Sequence, residues 1–259
     1  MKYLALFVLL LSCKSKDYDA KFLLAEKLAE EKKYEDSVKV FKEIYISKKD
    51  EEVGLKALYR AALINWIYRN RPMEARQDIE KLMELITDNR DFLYEVKTSL
   101  GELLFSKVED YESSIMIYKS LIEMEPHNER APLYQFRIGK SYFYLNNFDF
   151  ALNNFNLVLK NYPTAPFLGS VHFEIANTFF SIGKYPEALK EYQMVETKFK
   201  GSQIAMDSLL GVVQSLESEG RFDAALEVLK NAEPFSIHNK RSIEAQIATL
   251  TERINKITK

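Results

Sequence analysis

The chain has 259 residues, with 36 basic and 38 acidic side chains and a formal charge of −2. That near-neutral balance gives no electrostatic case for nucleic acid or for anionic lipid as a partner. A single cysteine excludes an internal disulfide framework, so any secreted domain must be stable on its core alone, and a chain of this length can bury one.

The first element is a leader. Lys2 precedes an unbroken apolar run, Leu4 to Leu11, followed by Ser12 and Cys13. The run is too short for a transmembrane helix and has the layout of a secretory signal. Leu10-Leu11-Ser12-Cys13 resembles the lipobox of bacterial lipoproteins. The resemblance implies cleavage after residue 12 and a covalent lipid on Cys13, the only cofactor-like group expected. The alternative is a plain signal peptide with an incidental cysteine. In lipoproteins of enteric bacteria an aspartate after the cysteine retains the protein in the inner membrane; Lys14 therefore favours the outer membrane. Residues 13–20 are expected to form a short lipidated tether.

From residue 21 to residue 235 one pattern recurs about every 37 residues. Its clearest copies are Gly139–Tyr142–Phe148–Ala151–Phe155–Pro163 and Ala176–Phe179–Tyr185–Ala188–Tyr192. Weaker copies carry Ala25, Tyr34, Ser37 and Phe41; Trp66, Ala75 and Ile79; and Gly101, Tyr111, Ser114 and Tyr118, the last with one extra residue in its turn. The anchor positions Ser37, Ala75, Ser114, Ala151, Ala188 and Ala225 predict six units. Apolar residues within a copy fall at three- and four-residue steps, interrupted once by Asn146-Asn147, Gly183 or Gly220. Each unit is therefore predicted to be two helices joined by a tight turn, because those residues tolerate the left-handed backbone that ends a helix. A helical hairpin cannot bury its apolar face alone, and a fixed period of this size predicts stacked hairpins rather than a bundle. Residues 236–259 are predicted to add one amphipathic helix, with Ile243, Ile247 and Leu250 on one face, that caps the last hairpin.

The small residues at the helix crossings and the aromatics above and below them resemble the tetratricopeptide repeat. The resemblance implies an all-α fold, a right-handed α-solenoid of about six tetratricopeptide-like helical hairpins with a C-terminal capping helix. A lipobox cysteine followed closely by such repeats resembles the lipoproteins of outer-membrane biogenesis, in plan the BamD family of the β-barrel assembly machinery. The stretch from Asn161-Tyr162-Pro163 through Phe199 is similar to the repeats of the CpoB family of periplasmic division coordinators. These resemblances imply an outer-membrane-anchored, periplasm-facing scaffold for envelope proteins or extended peptide segments. A division or cell-wall factor, or an assembly factor of a secretion apparatus, is the alternative.

Catalytic and metal-binding patterns are not found. His127, His172 and His238 lie at no ligand spacing from one another, and no phosphate loop or nucleophile elbow is present. An enzyme is the third and weakest reading. The candidate binding residues are aromatics on the first helices: Phe136 and Phe173, and Phe143 and Phe180, each pair separated by the repeat period, continued by Tyr68, Phe105 and Tyr144. Either they line a peptide-binding groove with few charges or they pack between hairpins.

Overall fold

The computed structural model describes residues 16–49, 51–232 and 237–257. The leader, Cys13 and Ser236 lie outside the described residues. Thirteen α-helices and no strand occur among the described residues. They group into two compact units, divided in the chain between Glu109 and Asp110.

The first unit holds α1 (Lys16–Glu30), α2 (Tyr34–Ser47), α3 (Glu52–Ile67), α4 (Pro72–Leu85) and α5 (Arg90–Leu103). The second holds α6 (Tyr111–Met124), α7 (Ala131–Tyr144), α8 (Phe148–Asn161), α9 (Leu168–Ser181), α10 (Tyr185–Lys198), α11 (Gln203–Ser218), α12 (Phe222–Lys230) and α13 (Ile237–Ile257). Consecutive helices pack on one another in each unit, and α13 packs on α12 as expected of a cap. Helix α1 already begins at Lys16, inside the stretch expected to be a tether.

The six anchor positions explain why the hairpins close. Ser37, Ala75, Ser114, Ala151, Ala188 and Ala225 are all fully buried. Four residues later, one turn along the same helix face, stand Phe41, Ile79, Tyr118, Phe155, Tyr192 and Leu229, all buried as well. At two crossings the ring of the second helix leaves no room for a side chain on a facing first helix. A Cβ on Gly139 would lie 2.6 Å from two ring carbons of Phe155, and one on Gly211 would lie 2.6 Å from the Tyr192 ring.

The turns repeat too. Lys32, Asn70, Glu109, Asn146, Gly183 and Gly220 all have a positive φ, between 51° and 74°. In four of these turns the next amide closes onto the carbonyl five residues back: Lys33 to Leu28, Asn147 to Tyr142, Lys184 to Phe179 and Arg221 to Leu216. This bond satisfies a carbonyl that the helix end would otherwise leave unpaired. The extra residue before Tyr111 is absorbed upstream of the turn, where α5 widens into a π-helical segment, Leu104–Val108.

Candidate functional site

In the second unit the first helices α7, α9 and α11 touch in succession, whereas the second helices do not pack on each other to a comparable degree. The first-helix face is thus the closer-packed one, and it carries a polar network. Lys140 on α7 pairs with Glu174 on α9 at 2.8 Å. Asn177 donates to Glu174 at 3.1 Å and accepts from the Tyr192 hydroxyl at 2.6 Å. Burial opposes the charge on Lys140, but the Glu174 carboxylate more than offsets it and holds the ammonium above the usual lysine range. Burial, and then the same carboxylate, push the Tyr192 phenol up. The Lys140 ammonium also lies 5.7 Å from the ring centre of Tyr144 and 5.9 Å from that of Phe136, within reach of a cation–π attraction.

The first unit has a counterpart with the signs exchanged. Arg60 on α3 donates to both carboxylate oxygens of Glu26 on α1, with Nε at 2.6 Å. In both units the pair joins residues 34 apart, on successive first helices. A charged pair between neighbouring first helices is therefore a repeated feature of this face, which sequence reading expected to be poor in charge. It was hidden because the sign inverts and only the spacing is shared.

The candidate aromatics separate into three groups. Phe105 and Phe136 are buried; Phe136 packs on Phe155 and Phe167 with ring centres 5.7 and 5.5 Å away. Of the two readings open for these aromatics, Phe105 and Phe136 follow the second: they are not accessible groove positions but fill space between helices. Phe143, Phe173 and Phe180 are half-buried against Phe148, Tyr192 and Tyr185 respectively. Tyr68 and Tyr144 are exposed on one side and stacked on the other, Tyr68 on Tyr34 at 4.7 Å and Tyr144 on Tyr111 at 4.8 Å. Each stack joins the first residue of a second helix to the end of the next first helix. Tyr144, Phe143, Phe180 and the Lys140–Glu174–Asn177 network thus form the accessible part of this face.

A second polar pair, also at the repeat period, ties two successive hairpins internally. Gln135 donates to Asn154 at 2.6 Å, and 37 residues later His172 pairs with Glu191 at 2.8 Å. His172 is therefore a half-buried strut within its hairpin. His127 is exposed in a linker. The side chain of His238 lies outside the described residues. Among the described residues no three His, Cys, Asp or Glu side chains gather as metal ligands, and no helix is long and apolar enough to cross a membrane.

The sequence model of the tetratricopeptide repeat matches residues 134–165, which cover most of α7, all of α8 and the start of the linker that follows. No curated protein sequence matches the chain. Among solved structures, a tetratricopeptide repeat protein from Parabacteroides merdae is similar with a TM-score of 0.66 and 13% identity, over 92% of this chain and 88% of that one. PilW, a type IV pilus biogenesis factor, is similar with a TM-score of 0.58 and 15% identity, over 89% of this chain and 100% of its own. MamA from Desulfovibrio magneticus is similar with a TM-score of 0.58 and 11% identity, over 74% and 99%. At these identities the likeness concerns the fold, and in fold the chain is an all-α protein of tetratricopeptide-like repeats, an architecture suited to holding other proteins.

Proposed function

We propose that the chain is a lipid-anchored scaffold on the periplasmic face of the bacterial outer membrane. Its first-helix face holds envelope proteins or extended segments of them, in outer-membrane protein assembly or envelope biogenesis, and it performs no catalysis itself. One observation carries this reading: the short apolar leader ending in Cys13 stands directly before an array of stacked hairpins. Tyr144, Phe143 and Phe180 offer apolar contact beside hydrogen-bonding groups, the combination an extended segment needs. The similarity in plan to BamD lipoproteins supports assembly of outer-membrane proteins. The fold shared with PilW favours a second reading, an assembly factor for a surface apparatus. The likeness of residues 161–199 to CpoB repeats supports a third, coordination of division with the cell wall.

The test is native purification of the full chain from bacterial envelopes in mild detergent, with intact mass of the protein and identification of what accompanies it. The expected result is a chain beginning at a lipidated Cys13, in complex with an envelope protein. A β-barrel partner selects the first reading, a pilus or secretion component the second, and a cell-wall synthase the third. A lipidated chain recovered alone, in both wild type and chemically cross-linked cells, would contradict the scaffold.

A further inference from the structure

Every first helix presents one residue just ahead of the helix crossing to whatever lies before it in the stack. These residues are Leu24, Ala61, Leu100, Ile138, Ile175 and Val212. The last five are at most 3% exposed. The preceding second helix covers them: Ala61 clusters with Val38, Phe41 and Ile44, and Ile175 with Phe155 and Val158. Leu24 is 49% exposed, and its neighbour Leu23 is 62% exposed. The far end of the array is treated differently, since α13 buries Ile243 and Leu250 in the last core cluster. Terminal units of stacked repeats ordinarily turn a polar face outward. Here two leucines occupy it, flanked by exposed Lys21 and Lys27.

We infer that this bare face of α1 rests on the lipid bilayer that holds the acylated N-terminus. The inference depends on the lipid anchor proposed at Cys13. With cleavage there, Cys13, Lys14 and Ser15 are all the chain that precedes α1, too little to form a covering helix. Three residues reach at most about 10 Å, so the start of α1 is held at the head groups. Leu24 lies about 12 Å further along the helix axis and meets the membrane only where α1 lies along the surface. The two leucines would enter the boundary between head groups and acyl chains while Lys21 and Lys27 extend back to the phosphates, and the exposed Glu30 lies near the far end of α1, away from the anchored start. Glu26 on the same helix is turned away, held by Arg60.

Leu24→Cys in the full chain tests this directly. Lipidation consumes the Cys13 thiol, so position 24 carries the one thiol that a fluorophore can label. The labelled protein is reconstituted in phosphatidylethanolamine–phosphatidylglycerol vesicles with and without doxyl-lipid quencher. Ile46→Cys, which is also exposed, serves as reference. The expected result is several-fold stronger quenching at position 24 than at 46. Equal quenching in a sample whose intact mass carries the Cys13 lipid overturns the inference and leaves the anchor standing. A mass without lipid overturns the anchor and the inference together. A chain that begins at Lys14 and carries Leu24→Cys, in buffer without lipid, is expected to leave the label fully exposed to water. A shielded label there means that a second copy covers the face, and the inference fails.

Discussion

Gly139→Ala and Gly139→Val probe the close crossing of α7 and α8. The added methyl would sit 2.6 Å from Cδ1 and Cε1 of Phe155. Carbon atoms in ordinary contact are about 3.5–4.0 Å apart, so the ring or the helix must yield by about 1 Å. Phe155 is fully buried and packed on Phe136 at 5.7 Å, which leaves the ring little room. Overpacking of this kind costs about 1–3 kcal/mol, and alanine recovers up to about 1 kcal/mol of helix propensity. The expected net loss is about 1 kcal/mol for alanine and about 2–4 kcal/mol for valine, whose two further methyls meet the same ring. Urea unfolding followed by circular dichroism measures the sum. Because stacked repeats open locally, hydrogen exchange should show the lost protection concentrated in α7 and α8. An open helix position would behave oppositely, alanine stabilising by about 1 kcal/mol over glycine. A Gly139→Ala midpoint at or above that of the wild type, with unchanged exchange in α7 and α8, would refute the crossing.

The Ser114 and Ser141 hydroxyls meet at 2.9 Å in the core. Ser114→Ala should cost about 1–3 kcal/mol and the double alanine variant less than the two singles combined, since removing both partners leaves no buried hydroxyl unpaired; additive losses in a double-mutant cycle would contradict the pairing. Lys140 has its pKa raised by Glu174 in the folded chain. The stabilisation it contributes is then complete below the ordinary lysine value of about 10.4 and declines as pH rises through the folded-state value. The urea-midpoint gap between wild type and Lys140→Met should hold from neutrality to about pH 10 and shrink above it, and a gap that persists at higher pH would contradict the ion pair. Lys32 adopts φ 62°. Lys32→Gly should stabilise the first hairpin by up to about 1 kcal/mol, and a loss measured by thermal or urea unfolding would show that the left-handed turn carries no strain.

The hairpins were legible in the sequence because their determinants are local and categorical. A small residue must sit where two helices cross, and a residue tolerant of positive φ must sit at the turn; Ala151, Ala188, Asn146, Gly183 and Gly220 meet those demands. Lys32 and Glu109 take the same backbone without the residue type that announces it. The start of α1 at Lys16 was missed because charged residues carry no apolar period to mark a helix. The aromatics were legible in position and not in role. Phe136 and Phe143 are seven residues apart on α7 and so lie on nearly the same face, two turns apart, yet one is buried and the other half-exposed. That difference is set by Phe155 and Phe167, which the tertiary fold brings onto Phe136. The Lys140–Glu174 and Glu26–Arg60 pairs were invisible because a charge pattern that reverses sign has no residue-type period.

The first-helix face of the second unit is the proposed seat of another protein. A photoreactive phenylalanine analogue at Tyr144 tests it in living cells, since this side chain is exposed on one side and stacks on Tyr111 on the other. Parallel probes stand at Gln214, exposed on α11, and at Met116, exposed on α6 and outside the Lys140–Glu174 network. A discrete covalent adduct of higher mass is expected from positions 144 and 214 and none from position 116. Irradiated cells that yield no adduct from positions 144 and 214, with the variants folded and abundant, would contradict it.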